Sequence, residues 1–322
     1  MVQYKQVKKL TVLLVLCCVL LIGGFVWWSN GLSPVNVKDT NSKVFVIPKG
    51  TPVRMIGNEL KKEGLIRDPV VFFIYVKKAG LDRSIQAGSY KLSASMGLPQ
   101  IIDTMGHGQI DIWVTIPEGL RSEEIAEILE SSIPTYSSTW KSALKAEEGY
   151  LFPDTYLIPK DADVEQVITI LKNNFYTKIE GIGLSKTTPN LKEILTMASL
   201  IEREALRDDE KPMIASVITN RLAEGMALDI DASLQYSKGK STQGKWWDVP
   251  TVEDRKIDSE FNTYKYPGLP PSPIANPGIQ AISAAKNPAS SNYFYYIHDT
   301  KGSVHFARTL SEHNSNVAKY LQ

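Results

Sequence analysis

The stretch Leu195-Thr-Met-Ala-Ser-Leu-Ile-Glu-Arg-Glu-Ala205 has the pattern of a core helix with one carboxyl in its apolar stripe. Successive residues of a helix are about 100° apart, so one acidic and three apolar side chains fall within an arc of about 100°. The stripe comprises Met197, Leu200, Ile201 and Glu204, and the opposite face comprises Leu195, Ser199 and Glu202. Glu204 is therefore predicted to lie among aliphatic side chains.

A carboxyl in such surroundings is a candidate general acid. Burial disfavours the charged form, so the pKa of Glu204 is predicted to rise and the residue to hold a proton near neutral pH. The alternative is a structural ion pair, with Arg221 as the partner. Glu202 lies about 200° round the helix from Glu204 and cannot form a close carboxylate pair with it. It is predicted to be solvated and paired with an arginine.

The region after this helix is predicted to form the wall of a sugar-binding site. Helices from about Leu191 to Leu206 and from Lys211 to Leu222 precede a long loop region rich in Pro, Gly and aromatic residues, from Asp229 to Pro277. Aromatic faces among amides, hydroxyls and carboxylates suit sugar rings, which present apolar C–H faces and hydroxyl edges. The alternative is that these aromatics pack beneath the loops. The candidates are Asp229, Asp231, Gln235, Tyr236, Trp246, Trp247, Asn262, Thr263, Tyr264 and Tyr266.

Two strand–turn–helix patterns come earlier in the chain. Val44-Phe-Val-Ile47 precedes a Pro-Lys-Gly turn and a helical pattern that ends at Gly64. Ile116-Pro-Glu-Gly119 repeats that turn, and Ser122 is predicted to cap the helix that follows it. The sequence leaves open a duplication or the reuse of common turn chemistry. Asp68-Pro69 predicts the start of one more helix.

The C-terminal part adds further elements of both kinds. A helix is predicted near Ile279 to Lys286, a strand from Tyr293 to His298, a hairpin turn at Lys301-Gly302 and a last helix ending at Leu321. Helices and strands are mixed without regular alternation, which predicts an α+β fold.

The segment from Leu10 to Trp28 is predicted to cross a membrane. Its 19 residues carry no charge, and at about 1.5 Å per residue they roughly match a ~30 Å hydrocarbon layer. Lys5, Lys8 and Lys9 precede it and no cation follows until Lys38, so the N-terminus is predicted to be cytoplasmic and the rest extracytoplasmic. A cleaved signal peptide is the alternative.

Composition excludes several other classes of function. The 36 Lys+Arg balance 35 Asp+Glu, which disfavours a nucleic-acid partner. Cys17 and Cys18 lie within the predicted span, so thiol catalysis outside it is excluded. The stretch 239–245 has Walker A spacing, but Trp246 stands where a magnesium-binding Ser or Thr is needed. The histidines form no His-Glu-x-x-His motif. Carboxylate chemistry without a metal or cofactor remains.

Several short motifs follow one another in collinear order along the chain. They are Glu148-Gly-Tyr-Leu-Phe-Pro-Asp-Thr-Tyr156, Ile201-Glu-Arg-Glu204 after Met197-Ala-Ser, Val217-Ile-Thr-Asn-Arg-Leu222, Phe261-Asn-Thr-Tyr264, Gly268-Leu-Pro-Pro271, Ile274-Ala-Asn-Pro-Gly278, and His305-Phe with His313-Asn314. Together they resemble the YceG-like family. The apolar span and the Ile47-Pro-Lys-Gly50 module resemble that family's membrane helix and LysM-like subdomain.

The resemblance implies a lytic transglycosylase, a lyase anchored in the cytoplasmic membrane. It would cut peptidoglycan strands internally between N-acetylmuramic acid and N-acetylglucosamine, leave 1,6-anhydro-muramyl ends and terminate strand elongation. The family's catalytic residue, the second Glu of a Glu-Lys/Arg-Glu motif, maps onto Glu204. In several members Ser or Thr follows that Glu, whereas Ala205 follows here, so one hydroxyl contact is lost. Cell-wall synthases are expected partners.

The residues expected to bind the glycan are Gln235, Asn262, Thr263, Tyr264, Asp231 and Glu148. A lyase of this kind needs one carboxyl, which acts first as acid and then as base. A lysozyme-type hydrolase is the first alternative, and its second carboxylate would be Asp229, Asp231 or Glu148. A non-catalytic scaffold that binds peptidoglycan is the second.

The predicted organisation has five segments. Residues 29–42 are polar and rich in turn formers, which is typical of a short tether. The segments are a cytoplasmic tail (1–9), a transmembrane helix (10–28), this linker (29–42), a LysM-like subdomain (43–112) and a catalytic domain (113–322).

Overall fold

The computed structural model describes residues 2–81, 85–107 and 109–321, and the mixed α+β class is confirmed. The helices are α1 Val2–Leu32, α2 Val53–Lys62, α3 Pro69–Lys78, α4 Leu98–His107, α5 Ser122–Ser132, α6 Trp140–Lys145, α7 Val164–Glu180, α8 Leu191–Glu204, α9 Lys211–Ala223, α10 Asp231–Lys238, α11 Ile279–Lys286 and α12 Leu310–Tyr320. The strands are β1 Lys43–Ile47, β2 Gly88–Leu92, β3 Gln109–Thr115, β4 Thr155–Pro159, β5 Tyr295–His298 and β6 Val304–Ala307.

Two compact units divide the chain. The first comprises residues 1–113 and 157–161, and the second comprises residues 114–156 and 162–322. The first four strands form one sheet in the order β1-β2-β3-β4, and β5 and β6 form a separate antiparallel pair. Met1, the first residue of the predicted cytoplasmic tail, and Gln322, the last of the predicted catalytic domain, lie outside the described residues. The side chains of Lys5, Lys8 and Lys9, on which the predicted orientation depends, also lie outside them.

The first unit follows the predicted strand–turn–helix order. β1 pairs antiparallel with β2, so that Phe45 lies opposite Tyr90, and both side chains are buried. The helix predicted at Asp68-Pro69 is confirmed as α3: the Asp68 carboxylate accepts hydrogen bonds from the backbone N–H of Val70 and Val71, at 2.7 and 3.2 Å. This side-chain cap satisfies N–H groups that a helix start leaves without partners.

The apolar N-terminal helix is longer than the sequence pattern suggests. α1 continues to Leu32, and among the residues whose side chains are described Leu14–Leu32 is long and apolar enough to cross a membrane. The polar residues that follow are hydrogen-bonded to the first unit. Arg67 Nε donates to the Pro34 carbonyl at 2.8 Å, and the Asn36 N–H donates to the Ala94 carbonyl at 2.9 Å.

The start of α5 differs by one residue from the prediction. Arg121 occupies the N-cap and Ser122 is the first helical residue, so Ser122 is not the cap. The Glu124 carboxylate, at the third helical position, accepts from the N–H of the N-cap residue Arg121 at 3.0 Å, as the acidic residue of a capping box does. The Ser122 N–H donates to Glu148 Oε1 at 2.9 Å.

The second unit is built round α8, which packs against α9 and α11. The long loop predicted after Asp229 is partly wrong, because α10 forms within it. α10 is too short for a clear apolar period, and a distant segment stabilises it. The Ser233 hydroxyl at its first turn lies 2.8 Å from the Thr263 hydroxyl, and Thr263 also accepts from the Ile230 N–H.

One fully buried side chain joins three distant segments of this unit. Asn276 Oδ1 accepts from the N–H groups of Gly149 and Leu151, at 2.9 and 3.0 Å. Its Nδ2 donates to the Leu120 carbonyl at 3.0 Å and to Glu148 Oε1 at 2.9 Å. Gly149 has φ +89°, and a Cβ there would lie 2.5 Å from Pro273 Cγ, so only glycine fits. We call this arrangement the Asn276 hub.

Replacing Asn276 by Ala is expected to destabilise the protein by about 3–5 kcal/mol, because it leaves two buried N–H groups without an acceptor, at about 1–3 kcal/mol each, and also removes two donated bonds. Urea denaturation of the detergent-solubilised chain measures this. Asn287, exposed at the end of α11, is the matched control, and Asn287→Ala should change the unfolding midpoint little. Equal midpoints for the two variants would contradict the role of the hub.

Candidate active site

A cavity of about 330 Å³ opens at the C-terminal end of α8. Its wall combines acidic, basic, aromatic and aliphatic side chains from helices and a strand far apart in sequence. The lining residues are Glu204 of α8, Arg221 of α9, Leu228 and Asp229 of the next loop, Asp231 of α10, Tyr264, Tyr295 and Tyr296 of β5, and Leu310 and His313 of α12.

Glu204 is the last residue of α8, because the backbone of Ala205 is extended. The Tyr296 hydroxyl donates to Glu204 Oε2 at 2.7 Å. Burial raises the pKa of Glu204 above its ordinary value, and the charge of Asp231 raises it further, whereas the Tyr296 donor and the nearby His298 lower it. Burial outweighs the other effects, so the protonated form persists to higher pH than for a solvated glutamate.

The opposite face of α8 is also buried, which the sequence pattern did not indicate. Leu195 and Ser199 are fully buried, since this face packs on α11 and the segment before it. The prediction of a solvated Glu202 paired with an arginine is wrong. Its two carboxylate oxygens each lie 3.2 Å from the buried Lys211 Nζ, and one accepts from the Gly278 N–H at the start of α11.

Two more carboxylates share the cavity with Glu204. Asp231 Oδ1 accepts from the Tyr264 hydroxyl at 2.7 Å. Asp229 has a positive φ of 50°, which is uncommon for a residue other than glycine, and lies 3.7 Å from Arg221 Nη1. The alternative of a Glu204–Arg221 ion pair is not supported, because Arg221 pairs with Asp229 and donates to the carbonyls of Phe294 and Leu228.

Three of the predicted glycan-binding residues lie outside the cavity lining, where they stabilise loops. Asn262 is fully buried and donates to the carbonyls of Arg255 and Ile257. Thr263 is buried against α10. Gln235 donates to the carbonyls of Trp247 and Asp248. Their contact with a glycan stays a prediction.

Glu148, the remaining predicted residue, belongs to the Asn276 hub. Its carboxyl accepts from the Ser122 N–H and from Asn276 Nδ2, and the Tyr236 hydroxyl lies 3.4 Å away. Burial raises the pKa of Glu148 to about 7, while the Ser122 hydrogen bond opposes that rise. The cavity lining described above does not include it.

Sequence reasoning missed Tyr296, Tyr295 and His313 as cavity residues. Tyr295 and Tyr296 lie in the strand predicted from Tyr293 to His298, where aromatic residues are ordinary strand formers. The His313 ring stacks on Tyr295 with 5.3 Å between centroids. The His313-Asn314 motif was the one available signal, and nothing local connects it to Glu204.

A protonatable carboxyl with a hydroxyl donor, at the end of a core helix in an α+β fold, has the features of an acid–base enzyme site. The YceG-like family model matches residues 45–319. The chain belongs to the YceG-like family.

Named relatives cover nearly the whole chain. It is 34% identical to the endolytic murein transglycosylase of Bacillus subtilis, over 94% of this chain and 91% of that protein. It is 29% identical to the endolytic murein transglycosylase of Streptococcus pneumoniae D39, over 96% of this chain and 64% of that protein. The crystal structure of a YceG-like protein from Listeria monocytogenes aligns with a TM-score of 0.56 at 32% identity, covering 85% of this chain and 99% of that one.

The raised pKa of Glu148 predicts that stability falls as pH rises. The folded state keeps a proton that the unfolded chain, with the ordinary value of 4.5, has already released, so unfolding becomes easier between about pH 4.5 and 7. The full effect is about 3 kcal/mol, at about 1.4 kcal/mol per pH unit. Thermal unfolding from pH 5 to 8 should show a smaller decline for Glu148→Gln than for the wild type. Glu147→Gln, which removes a neighbouring carboxylate paired with Lys172, is the control, and a slope for Glu148→Gln equal to that of the wild type would refute the assignment.

Proposed function

We propose that this protein is an endolytic murein transglycosylase. It cleaves peptidoglycan strands between N-acetylmuramic acid and N-acetylglucosamine and leaves 1,6-anhydro-muramyl ends that stop strand elongation. The observation that carries the proposal is Glu204, a carboxyl with a raised pKa in a cavity of glycan-compatible size and polarity. The names of the relatives support the same activity.

Glu204 acts first as general acid and then as general base. Tyr296 occupies Oε2 as a donor, so the proton resides on Oε1 and is available to the bridging oxygen of the glycosidic bond. As that bond breaks through an oxocarbenium-like state, the carboxylate forms and takes the proton of the muramyl C6 hydroxyl, which closes on C1. Tyr296 also supplies a hydroxyl contact to the acid where Ala205 cannot.

A lysozyme-type hydrolase is the second candidate, because Asp229 and Asp231 line the same cavity as Glu204. Both carboxylates have partners, Arg221 and the Tyr264 hydroxyl, which favours binding and electrostatic roles over activation of water. Mass spectrometry of glycan ends separates the reactions, since a hydrolysed end is heavier than an anhydro end by one water. A non-catalytic scaffold would sediment with purified sacculi and release neither product.

The apolar helix supports a membrane anchor, with Leu14–Leu32 crossing the cytoplasmic membrane and the cavity-bearing unit outside the cytoplasm. The orientation rests on the lysines before the span. The order β1-α2-α3-β2 with an antiparallel strand pair supports the LysM-like interpretation of the first unit. Association with cell-wall synthases stays a prediction of the family resemblance.

Glu204→Gln is expected to lower the formation of anhydro ends from purified sacculi by at least about 100-fold, because the amide cannot donate the proton that the leaving oxygen needs. The amide oxygen can still accept from Tyr296, so thermal stability should hold. Liquid chromatography with mass spectrometry of the digests measures the loss. Glu224→Gln, at the exposed end of α9, is the control. A wild-type rate for Glu204→Gln would contradict the assignment of Glu204 as the acid.

On the alkaline limb of its pH profile, kcat/KM should fall at a higher pH than it would if the acid were a solvated glutamate. The reason is that activity is lost as pH rises through the raised pKa of Glu204. Tyr296→Phe removes a donor that favours the charged form, so this limb should move to still higher pH. The rate at its optimum should fall roughly ten-fold as the acid loses its fixed orientation. A merely structural role for Tyr296 predicts a lower rate with an unmoved limb.

A further inference from the structure

The end of α1 is packed against α3 within the first unit. Trp27 Nε1 donates to Asp68 Oδ2 at 2.9 Å, and the Trp28 ring stacks on Tyr75 with 6.4 Å between centroids. Gly31 approaches Val71 so closely that a Cβ would lie 2.6 Å from Val71 Cγ2. These contacts extend from Asp68 to Tyr75 along α3 but only from Trp27 to Gly31 along α1. α3 therefore packs against the last turns of α1.

The chain between α1 and β1 is hydrogen-bonded to the rest of the first unit. Arg67, just before α3, donates to the carbonyls of Pro34 and Val35 at 2.8 and 3.3 Å. The Ser95 N–H donates to the Asp39 carbonyl at 3.1 Å. The polar stretch after α1 is thus tied to the unit by backbone contacts, unlike a free tether.

α3 has apolar side chains on its exposed face as well as on the face that is buried in the unit. Val71, Phe72 and Val76 are fully buried and face the core of the unit. Val70 and Ile74 are 53% and 38% exposed and, with the exposed Lys78, follow one another at a spacing of four residues. Such residues form one stripe along a helix. We call this stripe the α3 ridge.

The depth of these contacts identifies what the α3 ridge meets. Trp27, Trp28 and Gly31 lie in the last turns of α1, at the outer end of the candidate span Leu14–Leu32. Tryptophans concentrate at this interface. Interfacial helices bury their apolar face about 5–10 Å into the boundary between headgroups and acyl chains. A helix packed on a membrane-spanning helix at this depth has its free face at the level of that interface.

We propose that the α3 ridge inserts into the outer interface of the bilayer beside α1. Val70 and Ile74 meet the upper acyl chains, and Lys78 meets anionic headgroups. The inference rests on the proposed membrane span. Its consequence is that the first unit is held on the lipid surface by a second contact besides the span itself.

The test uses the full chain, one copy per nanodisc of phosphatidylcholine and phosphatidylglycerol, with single cysteines carrying an NBD fluorophore. Cys17 alone, in Cys18→Ala, reports on the span. Ile74→Cys and the control Val44→Cys are made in a Cys17→Ala, Cys18→Ala background. Val44 is 60% exposed on β1. Lipids with a doxyl group near the headgroup should quench the Ile74 label at least about three-fold more than the Val44 label and shift its emission to the blue.

Three results would overturn the proposal. Equal, weak quenching at Ile74 and Val44, with strong quenching at Cys17 by deep doxyl lipids, would refute the α3 ridge and leave the anchor intact. No quenching at Cys17 would refute the span and the ridge together, while the activity of Glu204 would be unaffected. A blue shift at Ile74 that appears in detergent and disappears on dilution would assign the ridge to a second copy of the chain.

Discussion

The buried amide of Asn276 is the interaction on which the second unit depends. Each polar atom of its side chain is used, and each partner lies more than a hundred residues earlier in the chain. Its backbone N–H also donates to Leu120, and its carbonyl accepts from Gly119. Because a buried polar group without a partner costs more than a satisfied one contributes, this hub admits one arrangement of the three segments. It fixes the chain just before α11, the helix that packs on α8 and thereby positions Glu204.

The two carboxylates at the end of α8 show how environment divides roles between similar groups. Glu202 meets the ammonium of Lys211 and the N-terminus of α11, both of which compensate a negative charge. Glu204 has a hydroxyl donor and a second carboxylate, Asp231, nearby. Glu202 and Glu204 are only two residues apart, but they face different sides of α8, so one forms a structural ion pair and the other has a raised pKa. Different surroundings are the usual reason that two similar carboxyls differ in pKa.

Much of the local structure was predictable. The Asp68 cap, the strand at β1, the helix of α8 and the place of Glu204 in its stripe all depend on residues within a turn or two of each other. α10 was missed because eight residues give no clear period and because Thr263 stabilises its first turn. Of the predicted glycan-binding set, Asp231 and Tyr264 line the cavity with Glu204. Asn262 and Thr263 instead form hydrogen bonds that stabilise loops. Residue type alone does not distinguish these uses.

The apolar span and the mixed fold class could be read from the sequence, because hydropathy and capping are properties of neighbouring residues. The ordered motifs indicated the family, which the family model confirms. Helical phase predicts Glu204 rather than Glu202 as the acid. The partners of these side chains depend on how distant segments pack. Tyr296 reaches Glu204 across 92 residues, Lys211 folds back on Glu202, and α3 packs against the end of α1. Such contacts form only when distant segments close on one another, and no local pattern records which pairs will meet.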